Sequence, residues 1–168
     1  MTIRKIFTEP DPILKEISKP VDEVGKEEQK LMDDMLETMY HSNGIGLAAV
    51  QIGVPKRVIV LDILKNKEKK NPMYFVNPII KNKDSENSTY EEGCLSVPNY
   101  FAEIDRSKKC EVEYLDYNGQ KNTLSAEGLL ATCIQHEIDH LEGILFIDYL
   151  SKLKKTMIVK KLSKKRNS

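Results

Sequence analysis

The chain has 168 residues, 40% of them hydrophobic, which suffices for one domain with a proper core and is too short for two ordinary ones. Its 26 basic and 26 acidic residues cancel, which excludes a generic nucleic-acid binder, and three cysteines without framework spacing point to a reducing, cytoplasmic setting without disulfides. No stretch has the continuous apolar length of a signal-peptide core or a membrane span, and no internal repeat is present, so a single domain over 1–168 is expected.

In chain order, Pro10, Pro12 and Pro20 keep the first segment extended or turned, with Ile13, Leu14 and Ile17 available to pack. Over residues 26–40, Leu31, Met32, Met35, Leu36 and Met39 recur at helical spacing. Glu27, Glu28, Lys30, Asp33, Asp34 and Glu37 take the other face, which predicts an amphipathic helix with methionines filling core.

The helix runs into Asn43-Gly44-Ile45-Gly46-Leu47-Ala48-Ala49-Val50-Gln51-Ile52-Gly53. Gly44, Gly46 and Ala49 also fit a dinucleotide fingerprint, with Asp62 as a possible ribose partner. That fingerprint must follow a strand and open a helix, whereas here a helix precedes it and Gly53-Val54-Pro55 soon interrupts. Gly44, Ile45 and Gly46 suit a peptide-binding edge better, because glycines let another backbone approach closely.

Strands are predicted at 57–63 and 74–80, joined by a solvated hairpin loop at 65–72, and 81–89 reads as a second polar loop. Residues 109–115 alternate towards the turn Asp116-Tyr117-Asn118-Gly119, with 121–124 returning as the partner strand. Strands surrounding one buried helix indicate α+β with mostly antiparallel sheet and a C-terminal helix.

The central helix carries Gln135-His136-Glu137-Ile138-Asp139-His140. Histidines four apart share a helical face, so both imidazoles can reach one ion, and the ion acidifies a water whose proton a neighbouring carboxylate can take. The flanking Leu129, Leu130, Cys133, Ile134, Leu141, Ile144 and Leu145 are too apolar for a surface helix, which argues against two unrelated solvated histidines.

A catalytic site of this type takes three protein ligands and keeps one position open. The long metzincin pattern places a third histidine where this chain has Phe146, and no thermolysin-like downstream glutamate is suitably placed, since of the two acids that follow, Glu142 is too close along the helix and Asp148 is an aspartate shortly past it. The third ligand therefore lies upstream. The candidates are His41, Cys94, Cys110 and Cys133. Cys133 lies on the same helix and would line the floor, and Cys110 sits in an alternating strand. Cys94 is left, in Glu91-Glu92-Gly93-Cys94-Leu95-Ser96-Val97-Pro98, where Gly93 gives the backbone room beside the thiol.

Three motifs together, Gly44-Ile45-Gly46-Leu47-Ala48-Ala49-Val50-Gln51, Glu92-Gly93-Cys94-Leu95-Ser96 and the helix motif from Gln135 to His140, resemble the peptide deformylases in order and spacing. The similarity extends from Asp11-Pro12 to the helix after Asp148. The resemblance implies hydrolysis of the N-formyl group from nascent polypeptides beginning with formylmethionine, releasing formate. It implies one divalent ion on Cys94, His136 and His140, with ferrous iron as the physiological choice. Thiolate and imidazole ligands suit zinc, cobalt or nickel as well. Glu137 would be the general base, and Gln51 with the backbone N–H of Leu95 would hold the developing oxyanion. Ile45, Leu129, Thr132 and Cys133 are candidates for the methionine pocket, beside an edge formed by Gly44, Gly46, Glu92 and Gly93. Glu92 and Arg106 read on their own as surface charges, while the resemblance implies that they pair near the site. The chain departs from common family patterns at Asn99-Tyr100-Phe101 and at Thr132, which bears on fine substrate preference. An internal-bond metallopeptidase and a binding module with a structural metal are the competing classes. The first lacks its downstream ligand, and the second would require a fourth protein ligand.

Finally, Lys152, Lys154, Lys155, Lys160, Lys161, Lys164, Lys165 and Arg166 share the last segment, 150–168, with Leu150, Leu153, Met157, Ile158 and Leu162 and with no acid. A basic helix with one apolar side is predicted. It is either a solubilising tail packed on the domain or, as the resemblance implies, a docking element for polyanionic ribosomal RNA.

Overall fold

The computed structural model describes residues 2–64 and 69–166. Among the described residues, seven strands and three α-helices follow the order α1 (Lys26–His41), β1 (Gly46–Ala48), β2 (Val58–Leu61), β3 (Met73–Lys83), β4 (Asn87–Cys94), β5 (Val97–Ser107), β6 (Lys109–Leu115), β7 (Lys121–Glu127), α2 (Gly128–Leu141) and α3 (Lys152–Arg166). Strands β1, β2, β3, β6 and β7 form an antiparallel sheet in that order, and β4 pairs with β5 as a separate antiparallel hairpin. This is the expected α+β arrangement with mostly antiparallel sheet.

Strand β2 shows how the site helix is held. All four of its residues are buried, because successive side chains point to opposite faces and both faces are covered. Val58 and Val60 join Met32, Met35 and Met39 of α1, whereas Ile59 and Leu61 join Ala131, Ile134 and Leu141 of α2. The sheet is thus filled between α1 on one side and α2 on the other. A third cluster joins Val97 and Ile104 of β5 to Phe146, Ile147, Ile158 and Leu162, tying the hairpin to the last helix.

Several local expectations change. The expected strand at 57–63 is shorter, and that at 74–80 extends to Lys83. Of the hairpin loop expected at 65–72, residues 65–68 lie outside the described residues. The polar stretch 81–89 is mostly strand, because β3 runs to Lys83 and β4 starts at Asn87. Much of β4 alternates between exposed and half-buried residues, so polar side chains conceal its pairing with β5. Asp34, assigned to the polar face of α1, is buried and accepts from Thr2 N–H at 2.8 Å and Arg4 Nη2 at 2.8 Å. The N-terminal segment covers it. Asp62 is also buried and accepts from Tyr40 Oη and from the N–H groups of Leu64 and Asn71, so it organises its own loop rather than a ribose.

Candidate metal centre and active site

Cys94 ends β4, where the register shifts between Glu92 and Cys94, and Leu95 with Ser96 makes the two-residue connection to β5. This turn presents the thiol to α2. The ligand atoms of Cys94, His136 and His140 all lie within 4.8 Å of one another, with Cys94 Sγ 3.3 Å from His140 Nε2. Metal–ligand bonds of about 2.0–2.3 Å around a tetrahedron put donors about 3.3–3.8 Å apart, so this soft thiolate and two borderline imidazoles fit a divalent transition ion. Among the described residues this is the single such grouping, and it has no fourth Cys, His, Asp or Glu.

The orientation of His136 is fixed from behind. Its Nδ1 lies 2.8 Å from Glu92 Oε1, leaving Nε2 towards the cluster. Arg106 then clamps Glu92 with Nε to Oε2 at 2.7 Å and Nη2 to Oε1 at 3.0 Å, while its Nη1 reaches Asp139 at 2.8 Å. Tyr149 Oη donates to the same Asp139 oxygen at 2.7 Å. Glu92 and Arg106 are each only 6% exposed, so the surface-charge reading is corrected. Two buried charges are tolerable because each satisfies the other. Burial raises the Glu92 carboxyl, but His136 and Arg106 outweigh it and hold it below its ordinary value. For His136, burial lowers the pKa, and Glu137, Cys94 and Glu92 together carry it well above the usual imidazole value. His140 moves the other way, because burial and then the His136 charge disfavour its protonation.

Glu137 is buried, and Oε1 has no hydrogen-bond partner in the structure, while Oε2 lies 4.0 Å from His136 Nε2. Burial is the main reason its carboxyl rises to about 7. Gly46 makes room for it, since a Cβ there would come within 2.5 Å of Glu137 Oε2. Gly93 has the same kind of constraint from Phe101, whose ring a Cβ would meet at 2.5 Å. Gln51 is buried, and its Nε2 lies 3.5 Å from Cys94 Sγ.

These groups open onto a cavity of about 430 Å³. Gly44, Ile45, Gly46, Glu92, Gly93, Cys94, Leu95, Leu129, Thr132, Cys133, His136 and Glu137 all line it. Of the residues singled out from the sequence, Gln51 and His140 lie behind this lining. Cys133 lines the cavity wall, and burial pushes its thiol up to about 12. Cys110 instead lies in the core with Val112 and Ala126, its thiol also raised by burial. The sequence reading gave no role to Ser96, Asp139 or Tyr149. Ser96 and Asp139 stood inside quoted motifs, and that adjacency was the only available signal.

The family model described as polypeptide deformylase matches residues 3–156. A peptide deformylase of Pelagibacter ubique is 70% identical over 164 residues, covering 98% of this chain and 95% of that protein. One from Rhizobium meliloti is 54% identical, with 98% and 94% covered. The crystal structure of peptide deformylase from Ehrlichia chaffeensis in complex with actinonin superposes with a TM-score of 0.94 at 44% identity, covering all of both chains.

Proposed function

The chain belongs to the polypeptide deformylase family, and from that premise we propose how its residues remove the N-formyl group from nascent polypeptides by metal-dependent hydrolysis. The observation that carries the assignment of roles is the convergence of Cys94, His136 and His140 beside a buried carboxylate at one cavity. These three side chains hold the ion. Bound there, it supplies Lewis-acid polarisation of the formyl carbonyl and acidification of water. Glu137 takes a proton from the attacking water and returns it to the departing nitrogen. The Gln51 amide and the Leu95 N–H donate to the oxygen that gains charge. Ile45, Leu129, Thr132 and Cys133 accept the methionine side chain, while Gly44, Gly46 and Gly93 line the peptide edge. Glu92, first placed with the peptide edge, has its carboxylate engaged by His136 and Arg106, which supports an orienting role for that side chain. Formate release from a formyl-methionyl peptide, with an unformylated peptide left intact, tests this reading. Cleavage of the unformylated peptide would support an internal-bond peptidase instead.

Gln51→Leu is expected to lower kcat roughly 10²- to 10³-fold with KM little changed, because an oxyanion donor acts mainly on the transition state. Steady-state kinetics on the same peptide separate the two, and a pure rise in KM would make Gln51 a substrate-binding group.

We take residues 1–168 as one catalytic domain working in the cytoplasm, a setting supported by the free thiols of Cys94, Cys110 and Cys133. No helix among the described residues is long and apolar enough to cross a membrane. The native ion is ferrous iron, with zinc, nickel or cobalt as substitutes. Helix α3 docks on the ribosome. Its predicted single apolar side is divided: Ile158 and Leu162 are buried against the domain, whereas Leu153 is 80% and Met157 49% exposed. Deleting α3 would therefore remove core, and reversing exposed charges is the cleaner test. Lys154→Glu with Lys160→Glu and Lys161→Glu should abolish salt-sensitive ribosome sedimentation while leaving hydrolysis of a short formyl peptide near the wild-type rate. Unchanged sedimentation at low salt would leave α3 as a packed solubilising helix.

A further inference from the structure

Gln51 makes three polar contacts that together fix how its amide faces the site. Its Oε1 accepts from the Ala48 N–H at 2.9 Å, and because a backbone N–H can only donate, the NH₂ must lie at the other end. There Nε2 donates to Ser96 Oγ at 2.9 Å and also lies 3.5 Å from Cys94 Sγ. One hydrogen of the amide is thus taken by Ser96, and the other is directed to Cys94 Sγ, on the side of the Cys94, His136 and His140 group. Ser96 is fully buried, so no water competes for its oxygen. The backbones of both residues are held by the same N-terminal segment: Phe7 N–H donates to Gln51 O at 2.7 Å, and Glu9 N–H donates to Ser96 O at 2.8 Å.

We infer that Ser96 is a positioning residue for the reaction, holding the Gln51 side-chain amide so that its second N–H is aimed where the oxyanion develops. The inference rests on the reading of Gln51 as an oxyanion donor. Such donors work because their geometry is set before charge appears, and an amide free to rotate would lose part of that advantage. Ser96 needs no contact with substrate. Its hydroxyl acts through Gln51, so its effect should depend on Gln51 being present.

The test is a double-mutant cycle on metal-loaded enzyme, comparing wild type, Ser96→Ala, Gln51→Leu and the double variant with a formyl-methionyl peptide. Ser96→Ala is expected to lower kcat roughly 3- to 30-fold, less than loss of Gln51 itself, with KM within about twofold of wild type. In the Gln51→Leu background the same change should have almost no effect. In protein labelled with ¹⁵N-glutamine, the Gln51 side-chain N–H should exchange with solvent faster in Ser96→Ala than in wild type. An equal fall in kcat in both backgrounds, or unchanged exchange, would overturn the positioning role. If Gln51→Leu itself left kcat unchanged, the oxyanion reading would fail separately, and exchange alone would decide whether Ser96 holds the amide.

Discussion

Glu137→Ala is expected to lower kcat for deformylation by at least roughly 10²- to 10⁴-fold while metal content stays near the wild-type level, the loss that follows when a general acid–base is removed but the ligands are kept. The carboxylate lies beside the ligand group without belonging to it: Oε1 is buried with no partner, and Oε2 stands 4.0 Å from His136 Nε2. The pH dependence follows with a definite sign. Burial brings the Glu137 carboxyl up to about 7 in the protein alone, and a dication nearby favours the charged form and moves it below that value. A general base works deprotonated, so with Glu137 in that role kcat/KM is expected to fall as pH drops through this lowered pKa. That acid limb should vanish in the variant. Near-normal turnover of Glu137→Ala would remove the residue from the mechanism.

Cys94→Ala should lose the ion and the activity together. What remains is two imidazoles from one helix, a much weaker site for a divalent ion than three ligands. Cys110→Ala is the informative partner, because Cys110 is buried in the core of the larger sheet and its thiol is raised by burial. Metal content and turnover of that variant should match wild type. Cys133, with its thiol pushed up to about 12, is protonated at neutral pH and should likewise be dispensable for the ion. Metal analysis of the purified variants decides the matter. An empty site in Cys110→Ala would show that the thiolate has been assigned to the wrong cysteine.

The parts of this molecule that were readable from its sequence are those whose physics is local. His136, Glu137 and His140 lie within one and a half turns of a helix, so their spacing alone places them together. The faces of α1 follow from a period, apart from Asp34, which a segment some 30 residues earlier in the chain covers. Cys94 was reached by eliminating the other thiols, and the structure brings its Sγ against His140. What remained hidden depends on partners distant in sequence. The clamp of Arg106 on Glu92 and Asp139 joins two separate elements, and nothing in the surroundings of Arg106 marks it as buried. Strand β4 was missed because much of it faces solvent on one side and lacks an apolar run. In the last segment, 150–168, the sequence shows five apolar residues, but only packing against Val97, Ile104 and Phe146 selects Ile158 and Leu162 for burial.

The most direct measurement is metal content and formate release on the same anaerobically purified protein, before and after removal of the ion by a chelator. One ion per chain, loss of formate release on stripping, and recovery on adding ferrous iron are the results predicted for Cys94, His136 and His140 holding a catalytic ion. Formate release at an undiminished rate from the stripped protein would contradict the metal-dependent mechanism at its root.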